Sequence, residues 1–203
     1  MSDETATDET DLATVRMHRP RWGDPDNPGH LPDAAQALTA GGSTDRGVDP
    51  DHIPVPESTI PDAARTALTE LLGADHVVVD TGERVQHTRG FSTPDLLRLR
   101  AGDVSAAPDV VVFPGSHDEV LGILALCTDH RLAAVPFTGG TSVVGGLEPE
   151  RSGLDGVVCI DLRRMNRLVE VDEISRTATF EAGIRGTDAE MGLRARGFTL
   201  GHF

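Results

Sequence analysis

The stretch VPFTGGTSVVGG, from Val135 to Gly146, combines four glycines with three hydroxyl side chains. A strand-like apolar segment precedes it, and no helix-like segment follows. Because glycine has no Cβ, several backbone N–H groups of such a stretch can converge on one anion. The hydroxyls of Thr138, Thr141 and Ser142 add further donors. The stretch therefore indicates a loop that binds phosphate groups, and a plain turn without a ligand is the alternative.

Two well-known phosphate loops do not fit this sequence. A Walker loop needs a lysine after its second glycine, whereas Gly146 follows Gly145 and the chain contains no lysine. A Rossmann loop opens a helix with the pattern G-x-G-x-x-G. The glycines here come as two pairs, and the segment LEPERSGLDG that follows them is not helical.

The elements before the glycine stretch form a strand–helix–strand pattern. The apolar segments 109–113 and 132–137 predict buried strands. The segment between them predicts a helix, since its apolar residues recur at helical spacing and Ser116 and Glu119 have the spacing of a capping box. The glycine stretch thus lies at the end of the second strand, which favours a ligand loop over a plain turn.

The elements after the glycine stretch are predicted to be mainly strands. Apolar residues alternate or nearly alternate with polar ones in the later segments, as in half-buried strands. The predicted strands are 156–162, 167–172 and 177–183. A final helix is predicted at 186–197, with Thr187 as its N-cap and Gly197 after its end.

The chain divides into three parts. Residues 1–14 predict a disordered acidic tail, because they combine charge with few apolar side chains. Residues 15–107 predict an arm with short helices, on which Trp22 serves as a packing anchor. Residues 108–203 form the third part. Within the arm, helices are predicted at 32–40, 61–72 and 92–102, and a short strand at 76–80.

The glycine stretch and its surroundings resemble flavoproteins of the vanillyl-alcohol oxidase family. The segment PFTGGTSVVGG resembles their pyrophosphate loop, which follows one strand and leads into others. The pair Met165–Asn166 recurs in that family, and the resemblance covers residues 108–203. Upstream, RWGDP and GFSTPDLLRLRAGDVSAAPDVVVFP resemble the N-terminal region of alkyldihydroxyacetonephosphate synthases and their bacterial relatives.

The resemblance implies an α+β, PCMH-type FAD-binding domain. It implies a β-α-β subdomain followed by the start of a mixed or antiparallel sheet subdomain, incomplete at its C-terminus. Loop 136–146 would hold the FAD diphosphate, and FAD would be non-covalent, since nothing marks His117, Cys127 or His202 as an attachment point. The implied cofactor-binding residues are Pro136, Phe137, Thr138, Gly139, Gly140, Thr141, Ser142, Gly145 and His202. No catalytic residue is assigned.

Composition excludes several other functions. The net charge of −15 argues against nucleic acid and anionic membranes as partners. All 18 basic residues are arginine and tyrosine is absent, so neither a Schiff-base lysine nor a catalytic tyrosine is available. The histidines and the two cysteines, Cys127 and Cys159, lack metal-ligand spacing. Without a signal peptide or an apolar run of membrane-spanning length, we expect a cytoplasmic protein.

Two functional hypotheses follow. The first is the FAD-binding portion of a flavoenzyme that acts on a small-molecule substrate, either an oxidoreductase or an alkyldihydroxyacetonephosphate synthase-like transferase, with a homodimer compatible with either. The second is a non-catalytic, truncated fragment with weak or no FAD binding. Asp161 and Arg163, which follow the strand at 156–162, are interpreted as residues that maintain the fold.

Overall fold

The structure is a computed structural model that describes residues 32, 33, 35, 48, 53–149, 151 and 153–201. Three predictions lie outside the described residues: the acidic tail at 1–14, the anchoring role of Trp22 and the position of His202. Most of the helix predicted at 32–40 lies outside them as well.

Five helices cover the described chain from residue 53 onward. They are α1 (Asp62–Leu72), α2 (Thr81–Gln86), α3 (Thr93–Arg100), α4 (His117–Asp129) and α5 (Gly186–Arg194). The helices α3 and α4 begin where the sequence predicts, because Ser92 and Ser116 each accept a hydrogen bond from the backbone N–H three residues later. In α4 the Glu119 carboxylate accepts from the N–H of Gly115, not that of Ser116.

A four-stranded sheet forms the centre of the fold. Its strands are β1 (Val77–Val78), β2 (Val110–Val112), β3 (Leu132–Phe137) and β4 (Gly156–Asp161). Their order is β1-β2-β4-β3, with β2 and β3 parallel to β4 and β1 antiparallel to β2. Every residue of β2 and β4 is buried, which explains why their sequences are continuous apolar runs.

Apolar layers cover both faces of this sheet. On one face, α1 and α4 contribute Leu68 and Ile123, which pack with Val110, Val158 and other buried residues. The second face carries a separate cluster that includes Val111, Phe113, Phe137 and Val157. The segment between α2 and α3 lies on this second face, since the His87 ring is 4.3 Å from the Phe137 ring between centroids.

After the central sheet the chain forms a smaller unit. The strands β5 (Leu168–Asp172) and β6 (Thr177–Phe180) pair as an antiparallel hairpin, and α5 follows. Within the described residues, the hairpin forms a second sheet of two antiparallel strands, in agreement with the antiparallel pairing that was predicted. The cysteines Cys127 and Cys159 are free and buried in the cores of the two faces, as small apolar side chains would be.

The structure corrects two local predictions. Thr187 is not the N-cap of α5, because the helix already begins at Gly186 and its N-cap is Arg185, without a side-chain cap hydrogen bond. The short helix α2 has no counterpart in the predictions, since six residues are too few to display a helical period. The strand–helix–strand pattern is confirmed, but its two strands are not neighbours, because β4 lies between them.

Asp109 connects the start of β2 to three other segments. The side chain is 1% exposed and its carboxylate accepts from the N–H and hydroxyl of Thr59 at 2.7 and 3.2 Å. Its other oxygen accepts from the Val157 N–H at 2.7 Å and from the Arg151 guanidinium at 2.8 Å. A buried carboxylate with so many donors ties the start of β4 to the chain before α1.

We expect Asp109→Ala to lower the free energy of unfolding by about 3–5 kcal/mol, because it leaves a cation and buried donors without their acceptor. The measurement is urea unfolding followed by circular dichroism. As a control, Asp62→Ala removes a carboxylate whose side chain is 95% exposed, and should change stability by less than about 0.5 kcal/mol. Equal effects of the two substitutions would contradict a structural role of Asp109.

Candidate functional site

The glycine stretch forms a loop that leaves the carboxyl end of β3. Gly140 and Gly145 have φ angles of +66° and +74°, in the left-handed region that favours glycine. The chain therefore turns twice in ways that a residue with a Cβ resists. Val143 and Val144, between the two turns, are 58% and 87% exposed, so the tip of the loop projects from the body of the protein.

Seven of the predicted cofactor-binding residues come together on this loop. Together with Leu147 they line one shallow pocket with a volume of about 230 Å³: Pro136, Phe137, Thr138, Gly139, Gly140, Thr141 and Ser142. Gly145 is not among the lining residues and instead forms the second turn. The Phe137 side chain is buried in the sheet core, so the loop side of this residue is mainly its backbone.

A larger cleft of about 860 Å³ opens beside the loop. Thr138, Gly139 and Thr141 form part of its lining. The remaining lining comes from the start and exposed side of α5: Ile184, Arg185, Gly186, Thr187, Glu190, Met191 and Arg194. The volume is within the range of small-molecule sites. The N-terminus of α5 contributes a positive partial charge to the cleft.

Close contacts hold the segment before α5 in place beside the loop. The Thr138 hydroxyl donates to the carbonyl of Ala182 at 3.2 Å, which joins the loop to the segment before α5. A Cβ on Gly183 would lie 1.7 Å from the carbonyl oxygen of Leu162, so this position requires glycine. The Gly183 N–H also donates to Met165 at 2.8 Å. The α5 side was not identified from sequence, although Gly183 before a predicted helix was an available signal.

Glu190 organises the end of the cleft. Its carboxylate accepts from the Thr199 hydroxyl at 2.6 Å, the Arg194 guanidinium at 2.7 Å and the Leu200 N–H at 2.9 Å. These hydrogen bonds, led by that of Thr199, lower the pKa of Glu190 to about 2. The deprotonated carboxylate thus fixes residues 199–200 against α5.

A buried charged cluster lies at the end of β4, on the face that carries Phe137. Asp161 is fully buried and accepts from the His87 Nε2 at 2.8 Å and from the Arg163 Nε at 2.9 Å. Burial alone would raise the pKa of Asp161, but the hydrogen bonds from His87 and Arg163 lower it below its usual value. Glu83 completes the cluster through Arg163 at 3.2 Å.

This cluster explains the predicted structural role of Asp161 and Arg163. The Arg163 guanidinium also lies over the Phe113 ring at 4.7 Å from its centroid. The His87 Nδ1 lies 2.7 Å from the backbone carbonyl of Glu83, so both ring nitrogens of this histidine are engaged. The cluster thus fixes the platform on which Phe137, the last residue of β3, packs.

Metal sites and membrane-spanning helices are two further features of interest in the part of the chain that the structure describes. No group of three or more His, Cys, Asp or Glu side chains there could hold a metal ion. Among the same residues, no helix is long and apolar enough to cross a membrane.

The fold and the glycine loop define a class of flavoprotein domain. Residues 108–203 match the model of a protein family described as "FAD binding domain". This range begins just before β2 and contains β2 to β6, α4, α5 and the glycine loop. These residues belong to that family of FAD-binding domains.

The similarity to alkyldihydroxyacetonephosphate synthases covers more of the chain than the family match does. The chain is 39% identical over 136 residues to the synthase of Trypanosoma brucei brucei, a match that covers 66% of this chain and 22% of the synthase. A solved alkyldihydroxyacetonephosphate synthase superposes with a TM-score of 0.72 and 34% identity, over 77% of this chain and 30% of that one.

A relative that is named for a different activity also matches. Glycolate oxidase subunit GlcD of Bacillus subtilis is 34% identical over 90 residues, which cover 44% of this chain and 18% of that subunit. The chain thus spans about a fifth of the length of these curated relatives. The predicted fold class and the resemblance to FAD-binding flavoproteins are confirmed, while the identity of the individual cofactor-binding residues stays a prediction.

Glu190→Gln should release residues 199–200, because the neutral amide loses the ion pair with Arg194 and half of its acceptor oxygens. In the wild type, the contribution of this depressed carboxyl is present above the unfolded pKa of 4.5 and is lost as the pH falls toward about 2. The amide chemical shift of Leu200 in the folded protein should therefore titrate with a midpoint near pH 2. Asp188→Asn, on the same helix, should leave this titration unchanged; a titration that persists in Glu190→Gln would contradict the assignment.

Proposed function

We propose that the chain binds FAD without a covalent bond and holds its diphosphate in loop 136–146. One observation carries this proposal: the loop forms a concave backbone surface, turned by two glycines with positive φ, inside a domain that matches the FAD-binding family. The proposed binding residues are Pro136 to Ser142 with Gly145 as the second turn. The prediction that His202 lies near the flavin concerns a residue outside the described part of the chain.

The chemistry of the loop suits a diphosphate. Backbone N–H groups of Gly139 and Gly140 can approach an anion closely, and the hydroxyls of Thr138, Thr141 and Ser142 are suitable donors. The chain has no lysine to neutralise phosphate. Neutralisation therefore depends on backbone dipoles, on the N-terminus of α5 and on the arginines that line the cleft.

One feature supports a non-covalent cofactor. Cys127 is 4% exposed in the core between α4 and the sheet, and burial raises the pKa of its thiol to about 11. A thiol in this state is a poor nucleophile and lies away from the loop.

The proposed activity is that of the FAD-binding portion of a flavoenzyme with a small-molecule substrate. Bound flavin would supply redox or adduct chemistry, and the residues of this chain would bind and orient it. A role in an alkyldihydroxyacetonephosphate synthase-like transferase is favoured over an oxidase role by the higher sequence identity to the synthase of Trypanosoma brucei brucei, 39% against 34% for the glycolate oxidase subunit. The cytoplasmic location and the homodimer remain predictions from sequence.

Gly140→Val should weaken FAD binding by at least about tenfold, because a β-branched residue resists the φ of +66° and its side chain would project from the binding backbone. Flavin fluorescence titration of the purified chain measures the affinity. Gly73→Val is the matched control, since Gly73 has a φ of +85° but lies between α1 and the short 3₁₀ helix Ala74–His76. The control should lose stability and keep its FAD affinity. Full affinity in Gly140→Val would refute the loop assignment.

Acid precipitation of the FAD-loaded protein should leave the flavin in the supernatant, because no bond to the protein holds it. The visible flavin absorbance of the pellet and of the supernatant measures the partition. Flavin that stays with the washed pellet would show a covalent bond and contradict the proposal. A chain that takes up no FAD at all would instead favour the second hypothesis, the non-catalytic fragment.

A further inference from the structure

A segment that precedes the FAD-binding family match lies directly against the glycine loop. The family match begins at residue 108, whereas residues 87–98 connect α2 to α3 and include most of α3. Within the described residues, this earlier segment contacts the loop at its beginning, at its middle and beyond its end. The family model alone therefore does not contain all residues that shape the loop.

The closest contact is between Gly90 and Ser142. The Phe91 N–H donates to the Ser142 carbonyl at 2.7 Å. A Cβ on Gly90 would lie 2.1 Å from that same carbonyl oxygen, closer than any real side chain approaches. Gly90 and Phe91 are both buried, so surrounding residues prevent this segment from moving away from the loop. Backbone thus packs on backbone, in the part of the loop where Ser142 is proposed to face the diphosphate.

A second contact fixes the chain just after the loop. The Glu148 carboxylate pairs with the Arg89 guanidinium at 3.0 Å and with the Arg98 guanidinium at 3.1 Å. The Arg89 side chain is 1% exposed and is held from its other side by Asp103 at 3.0 Å. A buried, anchored arginine therefore positions Glu148, two residues after Gly146.

The third contact lies at the beginning of the loop. The His87 ring packs against the Phe137 ring, and its two nitrogens are engaged by the Glu83 carbonyl and the Asp161 carboxylate. The position of Phe137 is therefore set by the same upstream segment. The three contacts lie at the beginning, in the middle and just beyond the end of the proposed diphosphate loop.

From this arrangement we infer that Gly90 and Phe91 are positioning residues of the cofactor site. The geometry assigns them the task of holding the Ser142 peptide, and with it the N–H groups of the loop, in the conformation that accepts a diphosphate. The inference rests on the proposed function of the loop. It adds that the affinity for FAD depends on residues upstream of the FAD-binding family match.

Gly90→Ala in the chain of 203 residues tests the inference. The added methyl group would overlap the Ser142 carbonyl oxygen. Because this oxygen belongs to the backbone, it cannot rotate aside as the end of a flexible side chain can, and the loop itself must shift. We expect hydrogen exchange of the amides at 138–147 to become at least about tenfold faster without cofactor, while the amides of β4 keep their rates. We expect FAD affinity, measured by fluorescence titration, to fall at least about tenfold.

Gly122→Ala is the matched control. It makes the same chemical change in α4, where the new methyl group would meet only the end of the Leu71 side chain. The control should leave both the exchange of the loop amides and the FAD affinity at wild-type values.

A second variant keeps the test informative if Gly90→Ala does not fold. Glu148→Gln removes the ion pairs with Arg89 and Arg98 and retains the size of the side chain. We expect faster exchange of the amides at 144–148 and an FAD affinity lower by roughly threefold to tenfold. Glu70→Gln, on the exposed side of α1, is its control and should change neither quantity.

The two readouts separate the inference from the proposed function. Unchanged exchange of the loop amides in Gly90→Ala would overturn the inference, whatever FAD does. Faster exchange with an unchanged FAD affinity would overturn the coupling to the cofactor. If the wild type binds no FAD, the proposed function fails, and the inference fails with it as a statement about cofactor affinity, although exchange still reports whether the upstream segment holds the loop.

Discussion

The site depends most on the hydrogen bonds that the buried carboxylate of Asp161 accepts from His87 and Arg163. Asp161 ends the central strand β4, and it can remain deprotonated without solvent only because His87 and Arg163 donate to it. Through His87 it connects the helix α2 to the sheet. Because His87 packs against Phe137, Asp161 also helps to fix the position of the last residue of β3, from which the chain enters the glycine loop.

Much of the fold could be predicted from sequence, for identifiable reasons. Buried parallel strands such as β2 and β4 are short runs of Val and Ile, and α4 begins at a serine with a glutamate three residues later. The glycine loop was recognisable because two pairs of glycines follow a strand. These signals are local, so a single sequence reveals them.

The rest depends on contacts between distant residues, which leave no local pattern. The α5 side of the cleft could not be assigned because Glu190 acquires its role from Thr199 and Leu200, and its shared acceptor geometry exists only after folding. In the same way, the sequence does not distinguish Gly90 from an ordinary turn glycine, because its contact with the Ser142 carbonyl exists only in the folded protein. His87 was one scattered histidine among eight until Asp161 approached it.

The packing of residues 87–98 on the loop has a consequence for how much of the chain can be moved as one unit. The family match starts at residue 108, whereas the residues that pack against the loop begin further upstream. Transplanting residues 108–203 alone into another protein would leave the Ser142 carbonyl and Glu148 without their partners. A transplanted segment should therefore begin upstream of α2, so that these partners accompany the loop.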